Sequence, residues 1–278
     1  MIRNKTNSAE FSQKQICTGI YLLSFLVLII LFIVSVLGVS AHEHTYPTKE
    51  IGRVLVINDY VSLIIGVPVL ALCLLLALRK KTIGWLLWPG ALLFVLYNSL
   101  VYILTLPLSP VYLLHLFLST FCVYALFGLF NRIDGEILVK KLAGAIPNKL
   151  VGGVLTGFGV LFLFMALHKL VTPVFLNSAI PITDSATYSA DIVITFAWII
   201  GGIQLWRGKP SGFIMGLGLL LQGYLLFLGL LLYFILQTFL VHTPFVLQEF
   251  VVIAVFSLVF FVPIGLFIRG LSSAKMIW

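Results

Sequence analysis

Long apolar runs separated by short polar connections make up nearly the whole chain, with no stretch that alternates polar and apolar residues as a soluble domain would. Eight runs are long enough, or nearly so, to cross a hydrocarbon layer of roughly 30 Å as helices. They cover 16–40, 54–78, 83–106, 110–130, 150–171, 191–206, 212–240 and 245–268. In lipid a backbone must satisfy its own N–H and C=O groups, which leaves helices or closed barrels. Runs of this length select helices. The expected fold is an all-α, polytopic transmembrane bundle of about eight helices, a single membrane domain over residues 1–278.

Composition strengthens this reading. Of 278 residues 61% are hydrophobic and 9% charged, and Phe occurs 23 times. A soluble core has no room for that much apolar surface. A net charge of +8 would suggest nucleic acid in a soluble protein, but the basic residues sit in short clusters between the spans. They read as topology signals and as contacts to anionic lipid, so the bilayer is the expected partner and nucleic acid is not.

Under the eight-span division, Arg3, Lys5, Lys14, Arg79, Lys80, Lys81, Arg132, Lys140, Lys141, Lys149, Arg207, Lys209, Arg269 and Lys275 fall on one side and only Lys49, Arg53 and Lys169 on the other. The positive-inside bias makes the first side cytoplasmic and places both termini there. The first run ends in Val39-Ser40-Ala41, which imitates a signal-peptide cleavage site. A signal h-region is about 7–15 residues, much shorter than this run, so the span is expected to be retained as an anchor. Cys17, Cys73 and Cys122 lie in apolar spans without CxxC spacing and read as small buried side chains, not as a disulfide framework.

The chain also repeats a local pattern. Arg79-Lys80-Lys81-Thr82-Ile83-Gly84-Trp85 opens the third span and Arg207-Gly208-Lys209-Pro210-Ser211-Gly212-Phe213 the seventh, and Gly90 matches Gly218 at the same offset. Two four-helix halves, 16–132 and 150–270, would then share one orientation, because each contains an even number of spans. Gly153-x-x-x-Gly157 and Gly212-x-x-x-Gly216 would allow close helix approach, and Pro68, Pro89 and Pro263 would bend helices around a cavity.

Candidate chemistry gathers at the outer ends of the spans that run inward: Asp59, His115, Asp191 and Glu249. The three carboxylates are expected near helix starts, where unpaired N–H groups favour an anion. His115 lies deeper, so its imidazole needs a partner, and one of the three carboxylates facing a polar cavity is the expected one. His42, His44, His168 and His242 also fall on the outer side and are weak candidates, with these acids, for zinc or copper. No HExxH, phosphate-binding loop or nucleophile elbow is present. Asn98, Gln204, Gln222 and Gln237 are the main uncharged polar groups within the spans, suited to bonds between helices.

Asn58-Asp59, Gly66-x-Pro68, the basic turn at Arg79, Gly90, and Leu96-Tyr97-Asn98 with Tyr102 together resemble a pattern in uncharacterised multi-pass membrane proteins of bacteria. The resemblance implies a bacterial inner membrane and no catalytic residue. Three functions stay open on the sequence: a permease-like protein handling a small solute or lipid, an intramembrane enzyme using the outer His and carboxylate cluster, and an accessory or sensor protein.

Overall fold

The computed structural model describes residues 18–142, 144–242 and 244–273. Ten helices occur among them: α1 (Thr18–Ser40), α2 (His42–Thr45), α3 (Lys49–Leu78), α4 (Thr82–Thr105), α5 (Pro110–Phe130), α6 (Gly135–Leu142), α7 (Asn148–Leu176), α8 (Ile182–Trp206), α9 (Pro210–Leu240) and α10 (Leu247–Ser273). All but α2 and α6 are long and apolar enough to cross a membrane. The all-α bundle of eight spans is therefore as expected, and the chain is a multi-pass helical membrane protein.

Local chemistry fixes the helix ends. Thr48 and Ser109 cap α3 and α5 by accepting from the backbone N–H groups of Ile51 and Tyr112, and Pro110 supplies a first helical residue that needs no N–H partner. Asp134 accepts from the N–H groups of Glu136 and Ile137 and so starts α6, a short helix that the polar 131–149 connection conceals in sequence. Leu138 and Leu142 of α6 are buried, and the helix packs on α9. Within α3 the backbone widens to a π turn at Ser62–Gly66, just before Pro68. The proline has no N–H, and a π turn is one way for a helix to absorb that gap.

The sequence boundaries need correction at three places. Helix α3 starts at Lys49, so Asp59 lies well inside it instead of near its start. Helix α8 starts at Ile182, which places Asp191 likewise in the interior, and α7 continues to Leu176. Only Glu249 occupies a first turn. Capping therefore does not account for Asp59 or Asp191.

The two matching loops fold alike. Lys80 and Gly208 both take left-handed backbone, at φ 59° and 67°. Lys80 and Lys81 N–H groups return to the carbonyls of Ala77 and Leu76, and those of Gly208 and Lys209 return to Leu205 and Gln204. A Cβ at Gly84 would strike the Leu76–Ala77 backbone, and one at Gly212 would strike Gln204–Leu205. Each glycine thus lets its hairpin close tightly at equivalent positions.

Helix α4 is the centre of the bundle, with 67% of its apolar window buried against 28% for α7 and α10. It packs on α3, α5, α8 and α9. Helix α9 likewise packs on α8 and α10 and crosses to α3. Of the glycine motifs, Gly212 and Gly216 do face a neighbouring helix, through Leu205. The α7–α8 contact is instead made by Gly152 and Gly202, while Gly157 has no neighbour within 4 Å of where a Cβ would sit. Gly153 meets α8 only through the Trp206 ring, so the GxxxG spacing at 153–157 does not mark the backbone contact.

Candidate functional site

A cavity of about 690 Å³ opens between α3, α4, α8 and α9, in the half of the bundle that carries the 106–109, 177–181 and 241–246 connections. Its walls follow helical spacing. Asp184, Thr187, Tyr188, Asp191, Thr195 and Trp198 line it from one face of α8, and Phe94, Tyr97, Asn98 and Val101 from one face of α4. Asn58 of α3, Tyr233 and Phe227 of α9, Phe162 of α7 and Glu249 of α10 complete the lining used below.

Polarity is graded along this wall. Asp184 and Glu249, both in first helical turns and both exposed, stand at the open end. Two helical turns deeper, half-buried Asp191 accepts a hydrogen bond from the Tyr97 hydroxyl at 2.8 Å. Beyond it lie Thr195, Asn98 and the aromatic rings of Trp198, Phe94, Phe162 and Phe227. Trp198 is fixed by donating its indole N–H to the buried Gln222 carbonyl oxygen, and Asn98 by donating its amide to the Phe94 carbonyl at 2.9 Å. Gln222 thus makes the interhelical bond expected of it. Asn98 uses its donor on its own helix.

Asp59 and His115 are not among the cavity-lining residues. They form a second, closed cluster behind it, tied together by Tyr102. The buried Asp59 carboxylate accepts from Tyr102 at 2.7 Å and from Tyr46, while the Tyr102 ring stacks on His115 at a centroid distance of 4.1 Å. Tyr46 lies in the connection between α2 and α3, and burial followed by the Asp59 charge holds its hydroxyl well above the usual tyrosine range. It is a permanent donor. Gly38 of α1 provides the space, since a Cβ there would strike both Asp59 and the Tyr46 hydroxyl.

A direct hydrogen bond from His115 to a carboxylate is not formed: the ring is buried, and neither nitrogen has a hydrogen-bond partner among the described residues. Aromatic stacking takes its place. The proposed outer cluster therefore divides, with Asp191 and Glu249 on the cavity and Asp59 and His115 outside it. His42, His44 and His242 are exposed. His168, with Lys169, lines an adjoining recess of about 320 Å³ that shares Asp184 and Tyr188 with the main cavity. Among the described residues no three His, Cys, Asp or Glu side chains are grouped as a metal site requires. Cys73 and Cys122 are buried and free, as expected; Cys17 lies outside the described residues.

Sequence reasoning missed Asp184, Thr187 and Tyr188 because the polar stretch before Asp191 reads as a loop by hydropathy. The spacing 184, 187/188, 191, 194/195, 198 was the available signal, a single helical face bearing most of the polar side chains of the segment. Comparison with family models, with curated proteins and with solved structures returns no match. The site itself therefore carries the functional argument.

Proposed function

We propose that the chain is a permease-like protein of a bacterial cytoplasmic membrane, with both termini cytoplasmic, that takes a small solute or lipid-like molecule into the cavity between two parallel four-helix halves. The observation that carries this reading is the cavity of about 690 Å³ at the junction of α3 and α4 with α8 and α9. That volume falls in the range of small-molecule sites, roughly 300–1,000 Å³. Placement between repeated halves is where many transporters bind substrate. Support for the duplication comes from the paired turns at Arg79 and Arg207, and from Gly90 and Gly218, sequence equivalents that touch each other where α4 crosses α9. Lys140 of α6, Lys149 in the first turn of α7 and Lys209 before α9, all near the end of the bundle where α1 begins, suit contact with anionic lipid headgroups.

The test is accessibility from both sides. L226C, in a background with Cys17, Cys73 and Cys122 replaced, places a thiol on the cavity wall. A membrane-impermeant thiol reagent should label it in right-side-out vesicles and, in a second conformation, in inverted vesicles. Labelling from one side under every condition would remove the permease reading and leave a one-sided ligand site. Absence of labelling from both sides would remove the cavity as a solute site altogether.

A further inference from the structure

We infer that the cavity is built for a lipophilic organic cation, with a positively charged head between Asp191 and the acidic mouth and an aromatic or alkyl body on the floor. This inference rests on the permease reading of the same cavity and names its substrate class.

The charge balance is one-sided. Asp184, Asp191 and Glu249 line the cavity, and among the described residues no Lys, Arg or His does. The nearest basic residues, His168 and Lys169, occupy the adjoining recess instead. A carboxylate at Asp191's depth is costly unless something compensates it, and the Tyr97 hydroxyl is a single neutral donor. A cationic ligand supplies the missing partner.

Asn98 gives an independent indication. It is 7% exposed and lines the cavity, and one of its two amide N–H groups is committed to the Phe94 carbonyl at 2.9 Å. The Phe94 carbonyl is an acceptor, so it must face the amide nitrogen of Asn98. The Oδ1 atom is thereby left as an acceptor without a hydrogen-bond partner among the described residues. An unpartnered acceptor on a residue that lines an acidic cavity suits an ammonium or the positive edge of an onium ion.

The floor sets the shape of the ligand. Trp198, Phe94, Phe162 and Phe227 present ring faces and edges, and ring faces attract cations at about 6 Å or less as well as burying apolar surface. A bare inorganic cation needs several oxygen ligands at close range, which this roomy, largely aromatic chamber does not assemble. An amphiphile with one delocalised or quaternary positive charge matches both ends.

The experiment uses the full chain in nanodiscs of neutral phospholipid. Binding of radiolabelled tetraphenylphosphonium is measured, with membrane partition subtracted by excess unlabelled cation. Tetraphenylborate, nearly the same shape with the opposite charge, is the matched probe. The expected result is saturable binding of the phosphonium, about tenfold weaker in D191N, which keeps an acceptor for Tyr97 and removes the charge. Binding should be weakened in L230W, which narrows the chamber, and in Y233W as a second narrowing variant; each variant is scored only at the wild-type unfolding midpoint. Tetraphenylborate should not bind saturably. Equal saturable binding of both ions, weakened in L230W, would overturn the cation assignment and leave the cavity reading standing. Phosphonium binding indifferent to D191N would overturn it as well. If neither ion binds while L226C is labelled from both sides, the cation assignment fails alone; if L226C is also unreachable, the permease reading fails with it.

Discussion

Gly90 of α4 and Gly218 of α9 meet where their helices cross: a Cβ on Gly90 would strike the Gly218 carbonyl, and one on Gly218 would lie 3.2 Å from the Gly90 nitrogen. Lipid offers no hydrophobic drive for helix association, so this crossing depends on backbone approach. G90A is expected to lower stability by about 1–3 kcal/mol through overpacking at a backbone contact. G157A, at a position with no neighbour within 4 Å, should leave stability unchanged or raise it by up to about 1 kcal/mol through helix propensity. Thermal unfolding of the purified variants in one detergent measures both. Equal midpoints would show that the two halves do not pack through these glycines.

The closed cluster around Tyr102 makes a second prediction with opposite signs at neighbouring residues. Y102F removes a donor from a buried carboxylate and should cost about 1–3 kcal/mol. H115F keeps a ring on the Tyr102 face and removes two buried nitrogens that have no partners, so stability should hold or rise. A marked loss in H115F would mean that the imidazole has a polar partner in the native membrane. Loss of function at unchanged stability would assign the histidine a working role.

The matched turns predict a third asymmetry. Gly208 sits at φ 67° and Lys80 at φ 59°, backbone that a residue with a Cβ occupies at a cost of about 1–2 kcal/mol. G208A should therefore destabilise by about 1 kcal/mol, while K80G should be neutral or stabilising because it relieves that cost. The same unfolding assay decides. K80G less stable than the wild type would locate the value of Lys80 in its side chain.

Hydropathy alone made the eight spans legible because lipid imposes the same demand on every residue of a span. The basic loops made their alternation legible too. What stayed hidden depends on helix rotation and on polar helix ends. Asp191 looked like a helix start because Thr183, Asp184, Ser185, Thr187 and Ser189 lower the hydropathy of the preceding turns, yet those residues continue the helix, and Thr183, Asp184 and Thr187 carry the cavity wall. Asp59 and Asp191 were both visible as intramembrane acids, but nothing in the spacing said that Tyr102 and Tyr46 would close over the first while Tyr97 left the second on the cavity. The Gly153 motif failed for the same reason: one position of rotation moves the backbone contact to Gly152.

Orientation is the last prediction, and the fold sharpens how to test it. Connections of three to five residues at 79–81, 106–109, 177–181 and 207–209 make α3, α4 and α5 successive antiparallel hairpins and α7, α8 and α9 likewise, so one reporter fixes the sense of each set. Arg79, Lys80, Lys81, Lys140, Arg207 and Lys209 lie at the end of the bundle where α1 begins, whereas Lys49, Arg53 and Lys169 lie at the opposite end, with the acidic mouth of the cavity. Short basic connections near span ends are retained in the cytoplasm. A reporter fused after Trp278 should therefore be cytoplasmic. Thr183 belongs to α8, so the external reporter belongs in the 177–181 connection instead, where an insertion spares the helix. Replacing Arg79, Lys80 and Lys81 by Gln should disturb this topology more than replacing Lys49 and Arg53, because the first set supplies the cytoplasmic charge of its hairpin and the second opposes the bias. Both reporters on one side would remove the eight-span arrangement. An inverted pair would place the acidic mouth on the cytoplasmic face, where the cavity would draw cations from inside the cell.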